Sequence, residues 1–302
     1  MIPQRTLSHP IRCSGIGLHT GRTVELSLRP APTDTGIIFC RPDLGEDALI
    51  PAKSTSVVDG RLCTTIGVGE ASVATIEHLM SAMAGLGIDN AYVDVNGPEV
   101  PIMDGSSAPF VFLIQCAGIE EQSKPKKVLR ILKTVCLEDG DKRCSLAPAA
   151  GFKVSYHLDY SHPMLRDRKV SIDFSSQAYT REVSRARTFG FLHEIEALQN
   201  MGLALGGSLE NAIVFDTHRV VNEGGLRYED ECARHKILDT VGDLFLAGYP
   251  IVGSFDGVRS GHEMNHGLVD ALLADSSAWV VEELQKAPPE ADYAGQAATV
   301  TV

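Results

Sequence analysis

Within ten residues, Arg234-His235-Lys236-Ile237-Leu238-Asp239-Thr240-Val241-Gly242-Asp243 carries an imidazole, an ammonium and two carboxylates. On a helix, His235, Asp239 and Asp243 fall at i, i+4 and i+8 and share one face. A His and an Asp one turn apart can both reach one divalent cation. The same spacing also suits a solvated face or a plain hydrogen-bonded pair, so it decides nothing alone. A second source of ligands is Glu77-His78. Hydrolytic zinc sites hold three protein ligands and keep a fourth position for water, and His78, His235 and Asp239 would make such a set. Neighbours on a helix point about 100° apart, so Glu77 cannot share the direction of His78. It can still reach water at the metal and act as general base. An exposed pair on a helix is the plain alternative. Neither of these two segments carries HExxH, so the set is not that of an ordinary zincin.

His262 lies in Ser260-Gly261-His262-Glu263, at an expected strand-to-helix junction where its pKa can be tuned for acid catalysis. A surface or capping His fits that position as well. Asp243, one turn past Asp239, can orient an imidazolium and favour its charge, or it is simply an exposed carboxylate. Thr188 offers a hydroxyl to a developing oxyanion, or ends a strand. Lys236 can bind phosphate as a point charge, or face solvent. The seven Cys are scattered without CxxC spacing, which reads as reduced thiols. Any metal is therefore sought among His and carboxylates.

These side chains need elements to position them. The first ~60 residues read as strands and turns, with alternation in Thr23-Val24-Glu25-Leu26-Ser27-Leu28. Ile76, Leu79, Met80 and Met83 give residues 75–84 a helical period, stopped by Gly85 and Gly87. Ala91-Tyr92-Val93-Asp94-Val95 is a strand, and Ser106 or Ser107 caps a second helix ending at Gly118. Residues 121–127 are polar, contain Pro125 and read as a linker between a first half, 1–120, and a second, 128–286. The second half repeats the order: strands at 128–135 and 152–158, a helix over 228–246, a strand at 251–255 and a helix over 262–273. If the first helix of each half packs on the other across a pseudo-twofold, their residues meet in one cleft. The apolar, glycine-rich stretch near 190–212 is either an ordinary loop or an insert lining a groove. The tail, 287–302, carries Pro288-Pro289 and small polar residues and reads as disordered.

A net charge of −12, without a basic run beyond Lys126-Lys127, argues against nucleic acid as partner. No 18-residue apolar stretch predicts a membrane span. Met1-Ile2-Pro3-Gln4-Arg5-Thr6 lacks the apolar core of a signal peptide, so a cytoplasmic protein is expected.

Several motifs occur together in order. They are Ser14-Gly15-Ile16-Gly17-Leu18-His19-Thr20-Gly21, Thr75-Ile76-Glu77-His78-Leu79-Met80-Ser81-Ala82, Val100-Pro101-Ile102-Met103-Asp104-Gly105-Ser106 and Ser184-Arg185-Ala186-Arg187-Thr188-Phe189-Gly190. Leu205-Gly206-Gly207-Ser208-Leu209-Glu210-Asn211-Ala212, Leu226-Arg227-Tyr228-Glu229-Asp230-Glu231 and His235-Lys236-Ile237-Leu238-Asp239 follow. Through them the chain, up to about Asp275, resembles the UDP-3-O-acyl-N-acetylglucosamine deacetylases of lipid A biosynthesis.

The resemblance implies an α+β fold of two similar halves. Each is a sheet packed on two helices in a layered sandwich, with one insert per half: a small β insert in the first, an apolar one in the second. It implies one zinc ion, with iron(II) as the alternative, held by His78, His235 and Asp239. It implies Glu77 as base, Thr188 at the oxyanion, His262 as acid or electrostatic stabiliser, and Asp243 as its partner. Lys236 and Phe189, with Phe191 and Leu18, would hold a small UDP-sugar lipid substrate, and the second insert would take its acyl chain. A monomer is expected. Three rivals are weighed against this: a sugar-nucleotide binder without catalysis, a structural zinc module, and a relative fused to a second enzyme. The first has no use for Glu77 or His262, the second favours Cys ligands, and the third needs a longer chain.

Overall fold

A computed structural model of the chain describes residues 1–284. The tail expected to be disordered, 287–302, lies outside the described residues.

In the first half, five strands run in the spatial order Ile11–Ile16, Thr23–Pro30, Ala91–Val95, Ile37–Cys40, Leu49–Pro51. Neighbours are antiparallel except Ala91–Val95 with Ile37–Cys40, which are parallel. Alternation does its expected work: Val24, Leu26 and Leu28 are buried while Thr23 and Glu25 face solvent. Two helices follow, α1 (Glu77–Leu86) and α2 (Ala108–Ala117). The start of α1 falls later than the apolar period predicts, because Thr75 sits at φ 58°, in the left-handed region. Its hydroxyl donates to the buried Glu99 carboxylate at 3.1 Å, which holds it there. Gly87, at φ 70°, ends α1 in the left-handed cap conformation. At the start of α2 the Ser106 hydroxyl accepts from the Ala108 N–H at 3.2 Å, while Ser107 is taken up by Tyr179. A small sheet of Val57–Asp59, Thr65–Val68 and Ala71–Val73 stands between the main strands and α1 in the chain.

The polar segment read as a linker is itself structured. Ile119–Pro125 is a strand, antiparallel to Pro3–Leu7. Its polarity reflects a strand with mostly solvent-facing side chains rather than a loose connection. Gln122 ties it to the first half, donating to the Ala31 carbonyl at 2.8 Å and accepting from Asn90 at 2.7 Å.

The second half is built on a seven-stranded sheet centred on Ile251–Val258. The start of that strand pairs in parallel with Lys127–Ile131. Its remainder lies between Lys142–Ala147, antiparallel, and Phe152–Leu158, parallel. A single turn, α3 (Ser176–Ala178), runs into a π-helical stretch, Tyr179–Val183. The parallel pair Phe189–Phe191 and Ile213–Phe215 brackets α4 (Leu192–Asn200) and a loop. Then come α5 (Glu231–Phe245) and, after the central strand, α6 (His262–Ala274). Both halves contain the order helix, strand, helix, although in the second α3, the π-helical stretch, the short parallel pair and α4 stand between the earlier main strands and α5; one apolar cluster runs through both.

The two halves meet where α1 packs on α5. A Cβ at Gly242 would lie 2.1 Å from the Glu77 carbonyl oxygen, so only glycine permits this backbone approach. Almost every residue of α5 is buried, which excludes the solvated face as an account of His235, Asp239 and Asp243.

Candidate metal centre

His78 comes from α1, His235 and Asp239 from α5. One ligand atom of each lies within 4.8 Å of the others, and all three residues are buried. His235 Nε2 stands 3.3 Å and His78 Nε2 3.5 Å from Asp239 Oδ1, with the two rings edge to face. Asp239 Oδ1 is buried without a hydrogen-bond partner among the described residues. A buried carboxylate oxygen left so is costly unless something cationic takes it. Two imidazole nitrogens and a carboxylate oxygen are a donor set that suits a divalent ion such as zinc.

The surroundings prepare these ligands. His235 Nδ1 lies 3.0 Å from the Ala186 carbonyl, which can only accept, so Nδ1 carries the proton and Nε2 presents its lone pair. Burial drives the His235 pKa down to about 3, keeping the ring neutral as a ligand must be. Burial opposes the charge of Asp239, but His235 and Lys236 outweigh it and hold its pKa well below the usual range. Lys236 donates to Asp239 Oδ2 at 2.9 Å. Burial works against the Lys236 ammonium, and Asp239 overcomes it, raising its pKa.

Beside this triad lies a second cluster. Burial raises the Glu77 pKa against the opposing pull of His262 and His78. Glu77 Oε2 accepts the Thr64 N–H at 3.0 Å, and Oε1 is 3.9 Å from His262 Nε2. His262, the first residue of α6, donates from Nδ1 to Asp243 Oδ2 at 2.8 Å. Burial disfavours its charge, but Asp243 more than compensates and lifts its pKa to about 9. A carboxylate whose affinity for a proton is raised and an imidazolium that keeps its proton at neutral pH thus face each other.

Both clusters open onto one cavity of about 480 Å³, a volume suited to a small ligand. Its polar lining includes Glu77, His78, Thr188, His235, Lys236, Asp239 and His262. Leu18, Phe189, Phe191, Ile195 and Leu198 belong to its apolar wall. The Lys236 ammonium sits 5.8 Å from the Phe189 ring centroid. Thr188 is held on both sides: its N–H donates to the Gly105 carbonyl and its own carbonyl accepts from Ile213 N–H, each at 2.8 Å. The structure therefore brings all eleven expected site residues to this region. Ten line the cavity, and Asp243 stands behind His262.

Sequence reasoning missed several neighbours. Thr64, Asn265 and His266 surround Asp243. Asn265 and His266 follow His262 at i+3 and i+4 on α6, a spacing that could have flagged them. Glu231 lies one turn before His235 on α5 and forms a buried pair with Arg187 at 2.9 Å. That pair anchors the Ala186–Thr188 backbone, and the i−4 spacing was again a usable sign. Glu99 accepts from the backbone N–H groups of His19 and Thr20, fixing the loop that carries Leu18, and no local pattern announces it. Cys63 also lines the cavity, where burial pushes its pKa up to about 12, so it remains a thiol.

Residues 4–274 match the LpxC family model, described as UDP-3-O-acyl N-acetylglycosamine deacetylase. A curated relative from Acidithiobacillus ferrooxidans (strain ATCC 53993 / BNL-5-31) bears the name UDP-3-O-acyl-N-acetylglucosamine deacetylase. It is 58% identical over 281 residues, covering 92% of this chain and 92% of its own length.

Proposed function

This chain belongs to the UDP-3-O-acyl N-acetylglycosamine deacetylase family, and from that premise we propose that it is a zinc-dependent amidohydrolase. It hydrolyses the acetamide of UDP-3-O-acyl-N-acetylglucosamine to the free amine and acetate, the committed step of lipid A biosynthesis. The observation that carries the metal reading is the buried Asp239 oxygen, without a hydrogen-bond partner among the described residues and facing two imidazoles. His78, His235 and Asp239 would hold the ion, which supplies Lewis acidity and a water of lowered pKa.

Glu77 removes the proton from the attacking water, its carboxylate steadied by the Thr64 N–H. Water oxygen bonds to the acetamide carbon, and the carbonyl oxygen takes up negative charge, which the Thr188 hydroxyl stabilises as a donor. As the C–N bond breaks, His262 delivers the proton from Nε2 to the leaving amine, while Asp243 keeps the ring charged and oriented. A second reading lets Glu77 carry that proton as well, with His262 stabilising charge. The 3.9 Å separation of Glu77 Oε1 from His262 Nε2 favours the two sharing the task. Lys236 and Phe189 steady the sugar diphosphate, and Phe191, Leu18 and the 190–212 insert receive the acyl chain. In this reading the enzyme acts as a cytoplasmic monomer. Among the described residues, no helix is long and apolar enough to cross a membrane.

The test is acetate release from the acetylated substrate by chelator-treated and metal-restored protein, with metal counted per chain. The reading requires loss on chelation, recovery with zinc, and failure of His235→Ala and Asp239→Ala to bind the ion. Full turnover by metal-stripped protein would sink it, and recovery with iron(II) but not zinc would change the ion.

A further inference from the structure

Thr64 lies one residue before the Thr65–Val68 strand of the small β insert and is fully buried. Its backbone N–H donates to Glu77 Oε2 at 3.0 Å, and its hydroxyl donates to Asp243 Oδ1 at 2.6 Å. One residue therefore touches the carboxylate read as base and the carboxylate behind the imidazole read as acid, which belong to different halves. His266 Nε2 lies 2.9 Å from the same Thr64 oxygen. Because the single hydroxyl proton goes to a carboxylate, which can only accept, His266 must donate from Nε2. His266 thus fixes the direction in which the Thr64 hydroxyl points. On the other carboxylate oxygen, Asn265 donates at 2.9 Å beside His262 at 2.8 Å. Asp243 is thereby held by two hydrogen bonds, from Thr64 and Asn265, in addition to its bond with the catalytic ring.

We propose that Thr64 is a positioning residue for the deacetylation: its hydroxyl, aimed by His266, fixes Asp243 and through it His262 in register with Glu77. This rests on the hydrolase reading above. Thr64 and His266 are not among the residues lining the cavity, and their hydrogen bonds do not go to His78, His235 or Asp239. They set the relative placement of two groups that must act on one tetrahedral centre, where small misplacements cost rate. Thr64→Val keeps shape and volume but leaves one oxygen of Asp243 and His266 Nε2 unpaired.

The test uses the full-length, metal-loaded enzyme and follows kcat, KM and bound metal together. Thr64→Val is expected to lower kcat about ten- to a hundredfold, the span of one lost buried hydrogen bond to a charged group. KM should move less than about threefold and metal content should stay unchanged, because substrate and ion are held elsewhere. Thr64→Ser, which restores the hydroxyl, should recover most of the lost rate. His266→Leu should slow turnover by itself, and His266→Gln, which can present an amide N–H in place of Nε2, should recover part. Adding His266→Leu to Thr64→Val should cost nothing further, because the hydroxyl it directs is gone. Undiminished kcat in Thr64→Val overturns the proposal. So does Thr64→Ser as slow as Thr64→Val, which would make the residue a packing element. Additive losses in the double variant overturn the part of His266. If Thr64→Val does not fold, Thr64→Ala compared with Thr64→Ser carries the same contrast. The parent enzyme is the control: no acetate from the parent overturns the hydrolase reading and this one with it, whereas an active parent beside an unaffected Thr64→Val overturns this one alone.

Discussion

At the scale of single residues, the site separates two jobs among carboxylates of similar burial. Asp239 is kept ionised by Lys236 and the imidazoles, whereas burial pushes the Glu77 pKa up. Glu77→Gln should therefore keep its bound metal and lose about 100- to 10,000-fold in kcat, read as acetate release against metal content. The proposed mechanism needs Glu77 deprotonated and His262 protonated. As pH rises, kcat/KM should climb through the raised Glu77 pKa and then fall as His262 loses its proton near its pKa of about 9. Asp243→Asn removes the charge that raises the His262 pKa, so the falling limb should move to lower pH. A falling limb unchanged in Asp243→Asn would detach His262 from it. Residue type and i+4 spacing offered His235, Asp239 and Asp243 as candidates without deciding between ligation and a solvated face, and the family resemblance joined them to His78, Glu77 and His262. Thr64 was not legible, since its two contacts are made across the molecule by a loop residue with no periodic neighbour.

At the scale of elements, α1 and α5 are set by glycine as much as by apolar packing. Gly242→Ala would drive a methyl group to 2.1 Å from the Glu77 carbonyl oxygen, and the two helices would have to separate. A loss of about 1–3 kcal/mol or more is expected, seen as a lower thermal midpoint, together with weaker metal binding because His78 recedes from His235 and Asp239. Gly85→Ala meets the Tyr179 ring and should lower stability without touching the ligands. The existence of both helices was legible from apolar spacing. Their bounds were less so: the left-handed Thr75 delays α1, and its cause is the distant Glu99. The strand Ile119–Pro125 was hidden for a related reason. Its partner is at the other end of the half, so alternation gave way to an exposed polar face. In the insert, Leu198→Trp should fill part of the apolar wall, raising KM for long-acyl substrate more than for a short-acyl analogue. Equal effects on both would remove the insert from acyl recognition.

At the scale of the whole molecule, the candidate ligands are divided, one from the first half and two from the second. An ion bound there joins the halves and stabilises only the folded chain. At a hundred times its Kd, a cation should add about 2.7 kcal/mol of stability, measurable as a rise in thermal midpoint that His78→Ala abolishes. Absence of any rise in the parent would argue that the halves are already fixed in a geometry that does not grip the ion. The helix, strand, helix order shared by both halves was legible, because each half repeats its own helical and strand periods. Their mutual placement was not, since it depends on Gly242 meeting a backbone carbonyl that no local pattern reveals.

The straight run of α5 has one more consequence. Glu231, His235, Asp239 and Asp243 ride a single rod at intervals of one turn, so the carboxylate that anchors Arg187, two candidate ligands and the carboxylate behind His262 share a common phase. Inserting one residue after Lys236 would swing the last two by about 100°. Half the centre would vanish in one step while the helix itself stayed intact.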